Sequence, residues 1–279
     1  MAYGIYPSYM DFTRMDKLAV ITGATSGIGA EFARQLAATH KVLWLIGRRE
    51  QKLNQLAESL HAQYGSETHV MIMDLSDESV IEQLAQQLEE QAQLSILVNN
   101  AGYAEDGEYH KMDWHLHQDI MNVHVTATLK LSHAALKVMS ESNLGTIINV
   151  SSVASFLPTP SSPLYGPTKA FIRSFSESLA LKYEDRNIKI QALCPGFTTT
   201  DFHEKIGLDP DSFYKDRGIM RSWSSEFVVK KSLLDVEKGK IVSIPGWNYK
   251  LVVMLVRLLP ISWILKMISG QEASHRYSK

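Results

Sequence analysis

The residues Thr22-Gly23-Ala24-Thr25-Ser26-Gly27-Ile28-Gly29 stand directly after an apolar run, Leu18–Thr22, and directly before a stretch of helical length. Glycines in a turn between a strand and a helix let the main chain approach a pyrophosphate closely, and the helix N-terminus offers it free N–H groups. Three glycines alone are weak evidence, because a tight turn in a buried loop explains them too. The strand before, the helix after and the strands that follow favour a dinucleotide-binding turn.

The rest of the chain alternates short apolar runs with amphipathic stretches. The predicted strands are Leu18–Thr22, Val42–Ile46, His69–Met73, Ile96–Asn99, Thr146–Ser151, Ile188–Leu193 and Lys240–Ile244. The predicted helices are Ile28–Ala38, Gln51–Tyr64, Ser79–Gln91, Trp114–Ser140, Pro163–Tyr183 and Ser225–Leu234. Most of the predicted strands are apolar without alternation, which indicates burial on both faces of a parallel sheet. The pattern predicts one doubly wound α/β domain of the Rossmann type with a seven-stranded parallel sheet.

Three parts follow from this pattern: an N-terminal extension over 1–16, the Rossmann domain over 17–248 and an apolar C-terminal helical appendage over 249–279. The stretch Leu251–Ile268 is very apolar, but Arg257, Pro260 and Lys266 interrupt it, and an uninterrupted span of about 20 residues is needed to cross a bilayer. Two short amphipathic helices around Pro260 could pack on the domain, form a subunit interface or lie on a membrane surface. Packing or contact within a homo-dimer or homo-tetramer is favoured over peripheral membrane contact through 251–268.

Length and composition fit a globular protein. Of the 279 residues, 45% are hydrophobic and 21% charged, which excludes a disordered, collagen-like or low-complexity chain. The formal net charge of −2 offers no electrostatic attraction to nucleic acid, so no such partner is predicted. Residues 1–16 lack the basic and apolar regions of a secretory signal, which predicts a cytoplasmic protein.

No metal site is predicted. The single cysteine, Cys194, excludes an intramolecular disulfide, and no spacing of cysteine and histidine resembles a zinc site. Several histidines are crowded in the sequence, but His115 and His117 would lie about 200° apart on a helix and could not share a metal there. We interpret this group as solvated or capping residues; it comprises His110, His115, His117, His124 and His133.

The end of the second predicted strand decides between the two nicotinamide cofactors. An acid at this place would accept hydrogen bonds from an unphosphorylated ribose, but Gly47-Arg48-Arg49 stands there. Guanidinium groups match a 2′-phosphate through charge-assisted hydrogen bonds, so the sequence predicts NADP(H), with Arg48 as the better candidate. The alternative is that both arginines are solvated residues at a helix start.

A serine, a tyrosine and a lysine carry the predicted chemistry. Ser152 follows the fifth predicted strand, Tyr165 comes 13 residues later, and Lys169 comes four residues after Tyr165. Positions four apart share one face of a helix. Pro167 lies between them, and because proline is tolerated only in the first turn, this helix is predicted to begin just before Tyr165.

The chain resembles the short-chain dehydrogenase/reductase family over roughly residues 17 to 245. The resemblance rests on Thr-Gly-x-x-x-Gly-x-Gly at 22–29, Asp74, Asn-Asn-Ala-Gly at 99–102, Asn122, Ser152, Tyr-x-x-x-Lys at 165–169 and Pro195-Gly196. The position of Arg48 and the C-terminal pattern are similar to the ketoacyl-reductase-like, NADP(H)-dependent branch.

The resemblance implies four catalytic residues: Asn122, Ser152, Tyr165 and Lys169. In reduction, Tyr165 gives a proton to the carbonyl oxygen that Ser152 holds, while hydride leaves the nicotinamide. A phenol with an ordinary pKa near 10 is a poor acid at neutral pH, so Lys169 and the nicotinamide charge are expected to stabilise its anion. Asn122 is expected to hold a water that connects Lys169 to solvent. The alternative is that Asn122 is an asparagine in mid-helix whose side chain is hydrogen-bonded to nearby residues only.

The resemblance also implies the cofactor contacts. Asp74 and Leu75 are expected at the adenine, although Asp74 capping the next helix is an alternative. Ser151 is expected to be structural, because its side chain would point to the opposite face of the strand from that of Ser152. The full set of expected cofactor residues is Gly23, Thr25, Ser26, Gly27, Ile28, Gly29, Arg48, Asp74, Leu75, Asn100, Ala101, Gly102, Tyr165, Lys169, Pro195, Gly196, Thr198 and Thr200.

Together these observations predict an oxidoreductase that transfers hydride between NADP(H) and a carbonyl or alcohol. The resemblance implies that the residues after Ser152 and over 201–223 border the substrate pocket, and their bulky apolar side chains favour a hydrophobic ketone or a 3-oxoacyl compound over a sugar or small acid. The alternative for these side chains is that they seal the core. The alternative is a non-catalytic NADP(H)-binding regulatory protein on the same fold. A regulatory protein of that kind would lack the catalytic tyrosine or lysine, and this chain has both.

Overall fold

A computed structural model of the chain describes residues 15–105, 107–199 and 221–276. Its first half forms β1 (Met15–Thr22), α1 (Gly27–Ala37), β2 (His40–Gly47), α2 (Glu50–Tyr64), β3 (Glu67–Ile72), α3 (Glu78–Glu89) and β4 (Leu94–Asn99). A short 3-10 helix (Tyr109–Lys111) follows, then α4 (Trp114–Met121), a π-helical turn (Asn122–Thr126), α5 (Ala127–Ser142) and β5 (Gly145–Val150). The remainder forms a second 3-10 helix (Val153–Phe156), α6 (Tyr165–Lys182), β6 (Ile188–Leu193), β7 (Thr198–Thr199), β8 (Trp223–Ser224), α7 (Ser225–Glu237), β9 (Val242–Ser243), α8 (Trp247–Leu258) and α9 (Ile261–Arg276).

The main sheet has seven strands in the order β3-β2-β1-β4-β5-β6-β9, and its neighbouring strands are parallel. β1 lies in the middle, where Val20 is opposite Trp44 on β2 and Leu97 on β4. After β3 the chain returns from the edge to β4, so the strand order reverses beside β1. Ligands of such sheets bind outside the carboxyl ends of the strands at this point.

Helices cover both faces of the sheet. α3 and α5 pack on one face through side chains such as Ile81 and Leu131. α1, α2 and α7 pack on the other face through Phe32, Leu53 and Val229. The core therefore holds the strand ends rigidly, and the loops that leave these ends build the site.

The predicted seven-stranded fold is confirmed. The third strand begins two residues earlier than predicted, at Glu67, because an edge strand tolerates polar residues. The long helix predicted over 114–140 is interrupted by the π-helical turn. α6 begins at Tyr165 as predicted, which places Pro167 in its first turn.

The C-terminal part forms two helices that meet at Pro260. Tyr249 and Val253 of α8 are buried against the domain. Within the described residues, no single helix is long and apolar enough to cross a membrane. α8 and the first part of α9 are together long and apolar enough, but they are bent by 119° relative to each other.

Candidate active site

The glycine turn after β1 has the shape that a pyrophosphate requires. Gly23 and Gly27 have positive φ angles of 66° and 56°, a conformation that residues with a side chain rarely adopt. Ser26 precedes α1 without capping it by its side chain, and the first turn of α1 contains no acid. Uncapped N–H groups and the positive end of the helix dipole therefore fit a phosphate anion.

Asn100, after β4, holds this turn in place. Its Nδ2 donates to the carbonyl oxygens of Thr22 at 3.0 Å and Gly23 at 3.2 Å. A Cβ on Gly29 would clash with the carbonyl of Gly23 and the Asn100 amide, so only glycine fits beneath the turn. The side chain of Asn100 is thus bonded to the protein itself, although Asn100 also lines the cavity where the resemblance implies a cofactor contact.

The two arginines after β2 have different partners. Arg48 is exposed, and its Nη1 lies 3.3 Å from a carboxylate oxygen of Asp74. Arg49 reaches into the glycine turn, where its Nη2 donates to Thr25 Oγ1 at 2.6 Å and Ser26 Oγ at 2.7 Å. Arg49 is therefore not merely a solvated residue at a helix start, which was the alternative for both arginines. The sequence favours Arg48 as the phosphate-binding residue and gives no sign of the Arg49 contact, which forms only because two βα turns lie close together in the fold.

Asp74, after β3, turns towards the same region. It accepts hydrogen bonds from the N–H and the hydroxyl of Ser76 at 3.0 and 2.9 Å. Burial acts to raise the pKa of Asp74, but the bonds from Ser76 and the charge of Arg48 outweigh it and lower this pKa. The alternative role of Asp74 as a helix cap is not seen, because Asp77 caps α3 by accepting from Ser79 N at 2.8 Å.

Ser152, Tyr165 and Lys169 meet where β5 ends and α6 begins. The side chains of Ser152 and Tyr165 are hydrogen-bonded to each other. Lys169 Nζ lies 5.7 Å from the centroid of the Tyr165 ring and donates to the carbonyl oxygen of Val150 at 2.9 Å. Ser151 donates to the carbonyl of Lys169 at 2.7 Å, which agrees with its expected structural role.

Burial dominates the ionisation of these groups. It raises the pKa of Tyr165, which the hydrogen bond with Ser152 opposes. It lowers the pKa of Lys169 to about 8. In the protein alone, desolvation of the phenolate is the largest effect on the pKa of Tyr165. The expected stabilisation of the anion by Lys169 and the nicotinamide charge together stays a prediction.

The side chain of Asn122 is directed elsewhere. It stands at the start of the π-helical turn, and its Nδ2 donates to the carbonyl oxygen of Ser76 at 2.7 Å. This bond joins the turn to the β3–α3 loop. The expected water connection between Asn122 and Lys169 stays a prediction.

His124 lies beside the site and bonds to elements that build it, so its interpretation as a solvated or capping residue is wrong. It is fully buried and not solvated; its Nε2 accepts from the N–H of Tyr103 at 3.1 Å, and its Nδ1 lies 2.8 Å from Thr168 Oγ1. Burial and the charge of Lys169 lower the pKa of His124 well below its usual value. His117 is also buried, with its ring stacked on Tyr109.

One cavity of about 730 Å³ joins the glycine turn to the catalytic residues. Every described residue expected at the cofactor lines it except Gly29, and Ser152 also lines it, whereas Asn122 does not. Thr200 and the apolar residues of 201–220 lie outside the described residues. The cavity also has an apolar wall that the sequence did not predict, formed by Tyr249, Val252, Val253 and Val256 of α8. Their spacing of three, one and three residues indicates an apolar helix face, but it does not indicate that this face lies at the cavity.

Tyr249 also connects the ends of the segment 200–220. Its hydroxyl accepts from Phe197 N at 3.0 Å and donates to the carbonyl oxygen of Arg221 at 2.9 Å. β7 pairs with β8 beside it, with Thr198 opposite Trp223. A Cβ on Gly196 would clash with the Tyr249 ring, so glycine is needed for this close packing.

Comparison with known proteins places this fold and site in one family. The family model of the short chain dehydrogenase matches residues 17–211. The chain is 34% identical over 187 residues to a very-long-chain 3-oxoacyl-CoA reductase of Anas platyrhynchos, a match that covers 65% of this chain and 60% of that protein. It is 32% identical over 212 residues to sulfoacetaldehyde reductase 2 of Chromohalobacter salexigens, covering 72% of this chain and 82% of that protein.

A solved structure agrees with these sequence matches. A short-chain dehydrogenase from Sphingobium yanoikuyae in complex with NADPH superposes with a TM-score of 0.77 and 26% identity, over 94% of this chain and 96% of that chain. The chain belongs to the short-chain dehydrogenase family. The predicted family, fold and oxidoreductase class are confirmed, and the non-catalytic alternative is not favoured.

Proposed function

We propose that the protein reduces a hydrophobic carbonyl compound with NADPH, or oxidises the corresponding alcohol with NADP⁺. The observation that carries this proposal is that Ser152, Tyr165 and Lys169 line the same cavity as the glycine turn. A cofactor held at that turn would extend towards the catalytic residues within one continuous space. The chain spans about 60% of the length of the duck reductase, so the substrate of that relative is a guide only.

The residues of the cavity fit NADP(H). The glycine turn and the N-terminus of α1 would hold the pyrophosphate. Arg48 and Arg49 line the cavity at the end of β2 and would hold the 2′-phosphate. Asp74 and Leu75 would contact the adenine, and Pro195, Gly196 and Thr198 would contact the nicotinamide end. When bound, NADPH supplies the hydride.

Tyr165 donates the proton in the reductive direction. Its raised pKa keeps the phenol protonated at neutral pH but makes it a weaker acid, so proton transfer depends on charges that stabilise the phenolate. The Ser152 hydroxyl holds the carbonyl oxygen by a hydrogen bond that strengthens as negative charge develops there. The Lys169 ammonium, 5.7 Å from the ring centroid, stabilises the phenolate that remains after proton transfer.

The walls of the cavity support a hydrophobic ketone or a 3-oxoacyl compound as substrate. Phe156 and Leu157 line one side, and Val252 and Val256 of α8 line another. Apolar walls of this kind favour substrates with aliphatic or aromatic groups beside the reacting carbonyl.

A panel of ketones and 3-oxoacyl thioesters of increasing chain length tests this function. NADPH absorbance is followed with each compound, and Tyr165→Phe serves as the control. We expect turnover with apolar compounds, loss of turnover in the variant, and weak activity with sugars. NADPH binding without turnover of any compound would support the regulatory alternative instead.

Assembly and location stay predictions. Short-chain dehydrogenases assemble with copies of themselves in many cases, and a homo-dimer or homo-tetramer is the predicted state here. A cytoplasmic location, with peripheral membrane association as its alternative, also stays a prediction.

A further inference from the structure

The outer faces of α8 and α9 carry large apolar side chains that solvent reaches. The exposed fraction is 67% for Trp247, 73% for Leu258 and 64% for Trp263. We call this region the α8–α9 surface; it comprises Trp247, Met254, Leu258, Ile261, Trp263 and Met267. Packing of these helices on their own domain leaves these side chains uncovered. Apolar groups gathered in this way mark a surface that contacts another phase or molecule.

α8 is apolar on two opposite faces. Val252 and Val256 face the catalytic cavity. Trp247, Met254 and Leu258 follow one another at seven and four residues, which places them on the opposite side at 100° per residue. One helix therefore forms the wall between the catalytic cavity and the α8–α9 surface.

The charges of this region have one sign. Residues 247–271 contain Lys250, Arg257 and Lys266 and no aspartate or glutamate. Lys250 and Arg257 are seven residues apart and lie on one side of α8, between its two apolar faces. The guanidinium of Arg257 lies over the ring of Phe156, 5.1 Å from its centroid, which fixes it at the rim of the cavity.

A lipid surface fits these features better than a second copy of the chain. In a two-fold symmetric contact each patch meets itself, so the same cations would approach one another without acids from this segment to pair with. Tryptophan, aliphatic side chains and flanking lysines are typical of helices that lie in the interface of an anionic bilayer. The bend of 119° between α8 and α9 is compatible with two helices lying in that plane.

We propose that the α8–α9 surface docks on an anionic lipid bilayer, with both helices in the interface and neither crossing it. Within the part of the chain that the structure describes, α8 then lies between the catalytic cavity and the lipid. Resting on the proposed function, this arrangement lets an apolar carbonyl substrate pass from the bilayer to Tyr165 along α8. The partner is identified by its chemistry, an apolar layer below anionic headgroups.

Vesicle flotation of the full chain tests the proposal, with phosphatidylcholine vesicles that contain or lack phosphatidylglycerol. We expect the protein to float with anionic vesicles and less with neutral ones. Leu258→Glu should lower the partition coefficient by tenfold or more. Lys266→Gln should lower it by about fivefold, since one interfacial cation contributes about 1 kcal/mol.

Leu181→Glu is the matched control, because Leu181 is 60% exposed on α6, outside the α8–α9 surface. It should float like the unmodified protein. NADPH fluorescence titration and thermal unfolding of each variant show that the fold and the cofactor site are intact, and both are independent of lipid and of substrate identity. Lys266→Gln changes only an exposed side chain, so it keeps the test valid even where Leu258→Glu folds poorly.

Two results would overturn the proposal. One is a protein that binds NADPH but does not float with anionic vesicles. The other is a dimer in light-scattering measurements that Leu258→Glu converts to a monomer, while vesicle binding is absent or unchanged; the α8–α9 surface would then be a contact between copies of the chain. Loss of ketone turnover with intact flotation would instead count against the proposed function alone.

Discussion

His124 Nε2 accepts a hydrogen bond from the main-chain N–H of Tyr103 over 3.1 Å. Because a main-chain N–H can only donate, Nδ1 must carry the imidazole proton, which it shares with Thr168 Oγ1 at 2.8 Å. The Thr168 hydroxyl in turn donates to the carbonyl oxygen of Tyr165 at 2.9 Å. A single neutral histidine thus connects the cofactor loop after β4 with the first turn of α6, which carries the proton donor.

Two substitutions at His124 separate its two bonds. The amide of His124→Gln reaches the position of Nε2 and keeps an acceptor for Tyr103, whereas His124→Asn reaches only the position of Nδ1. We expect His124→Asn to lower the free energy of unfolding by about 1–3 kcal/mol, because it leaves the partly buried N–H of Tyr103 unpaired. It should also lower kcat/KM more than His124→Gln does.

Calorimetry and steady-state kinetics measure both effects. His115→Asn is the control, since the side chain of His115 is 79% exposed, and it should change neither quantity. Equal kinetics for the two His124 variants would show that the Tyr103 contact does not position the site.

Tyr165→Phe should abolish turnover and leave NADPH affinity nearly unchanged. The variant removes the hydroxyl that gives the proton and keeps the ring in its buried position. Fluorescence titration with NADPH and an absorbance assay with an active ketone measure the two properties. Near-normal turnover would mean that another acid supplies the proton.

The pH dependence of reduction should reflect Lys169. Burial lowers its pKa to about 8, so Lys169 loses its proton as the pH rises through this value, well before a solvated lysine would. The stabilisation of the Tyr165 phenolate is lost with it. We expect kcat/KM for NADPH, which reports ionisations of the cofactor-free protein, to be flat below pH 8 and to fall above it. A flat profile to pH 10 would contradict this assignment.

Arg48→Asp and Arg49→Gln should affect the cofactors differently. A charge-assisted contact between Arg48 and the 2′-phosphate is worth on the order of 1.5–3 kcal/mol, so its replacement should cost roughly tenfold to a hundredfold in NADPH affinity and little in NADH affinity. Arg49 also holds the hydroxyls of Thr25 and Ser26. Its replacement should therefore weaken both cofactors. Titration of each variant with NADPH and NADH distinguishes the two roles, and equal affinities in the unmodified protein would refute the predicted preference.

The sequence was informative where chemistry depends on local spacing. The glycine turn, the four-residue interval from Tyr165 to Lys169 and the consequence of Pro167 are properties of one strand–turn–helix or one helix turn. Each is found in the structure as predicted, including the start of α6 at Tyr165.

What the sequence did not show depends on contacts between distant segments. Arg49 meets Thr25 across 24 residues, and His124 meets Thr168 across 44 residues. The burial of His124 could not be read from its position in a π-helical turn, because that turn changes which side chains face inward. The α8 wall was missed for a different reason: its apolar spacing was visible, but its orientation towards the cavity was not.

The hydroxyl of Tyr249 makes the segment 200–220 a candidate for exchange between related enzymes. It binds both Phe197 and Arg221, and the pairing of Thr198 with Trp223 closes the same gap a second time. Since these contacts hold the two ends together, a change in the length of the intervening chain costs little loop-closure entropy. The intervening chain can therefore change by insertion, deletion or grafting while the catalytic residues at the end of β5 and the start of α6 keep their positions.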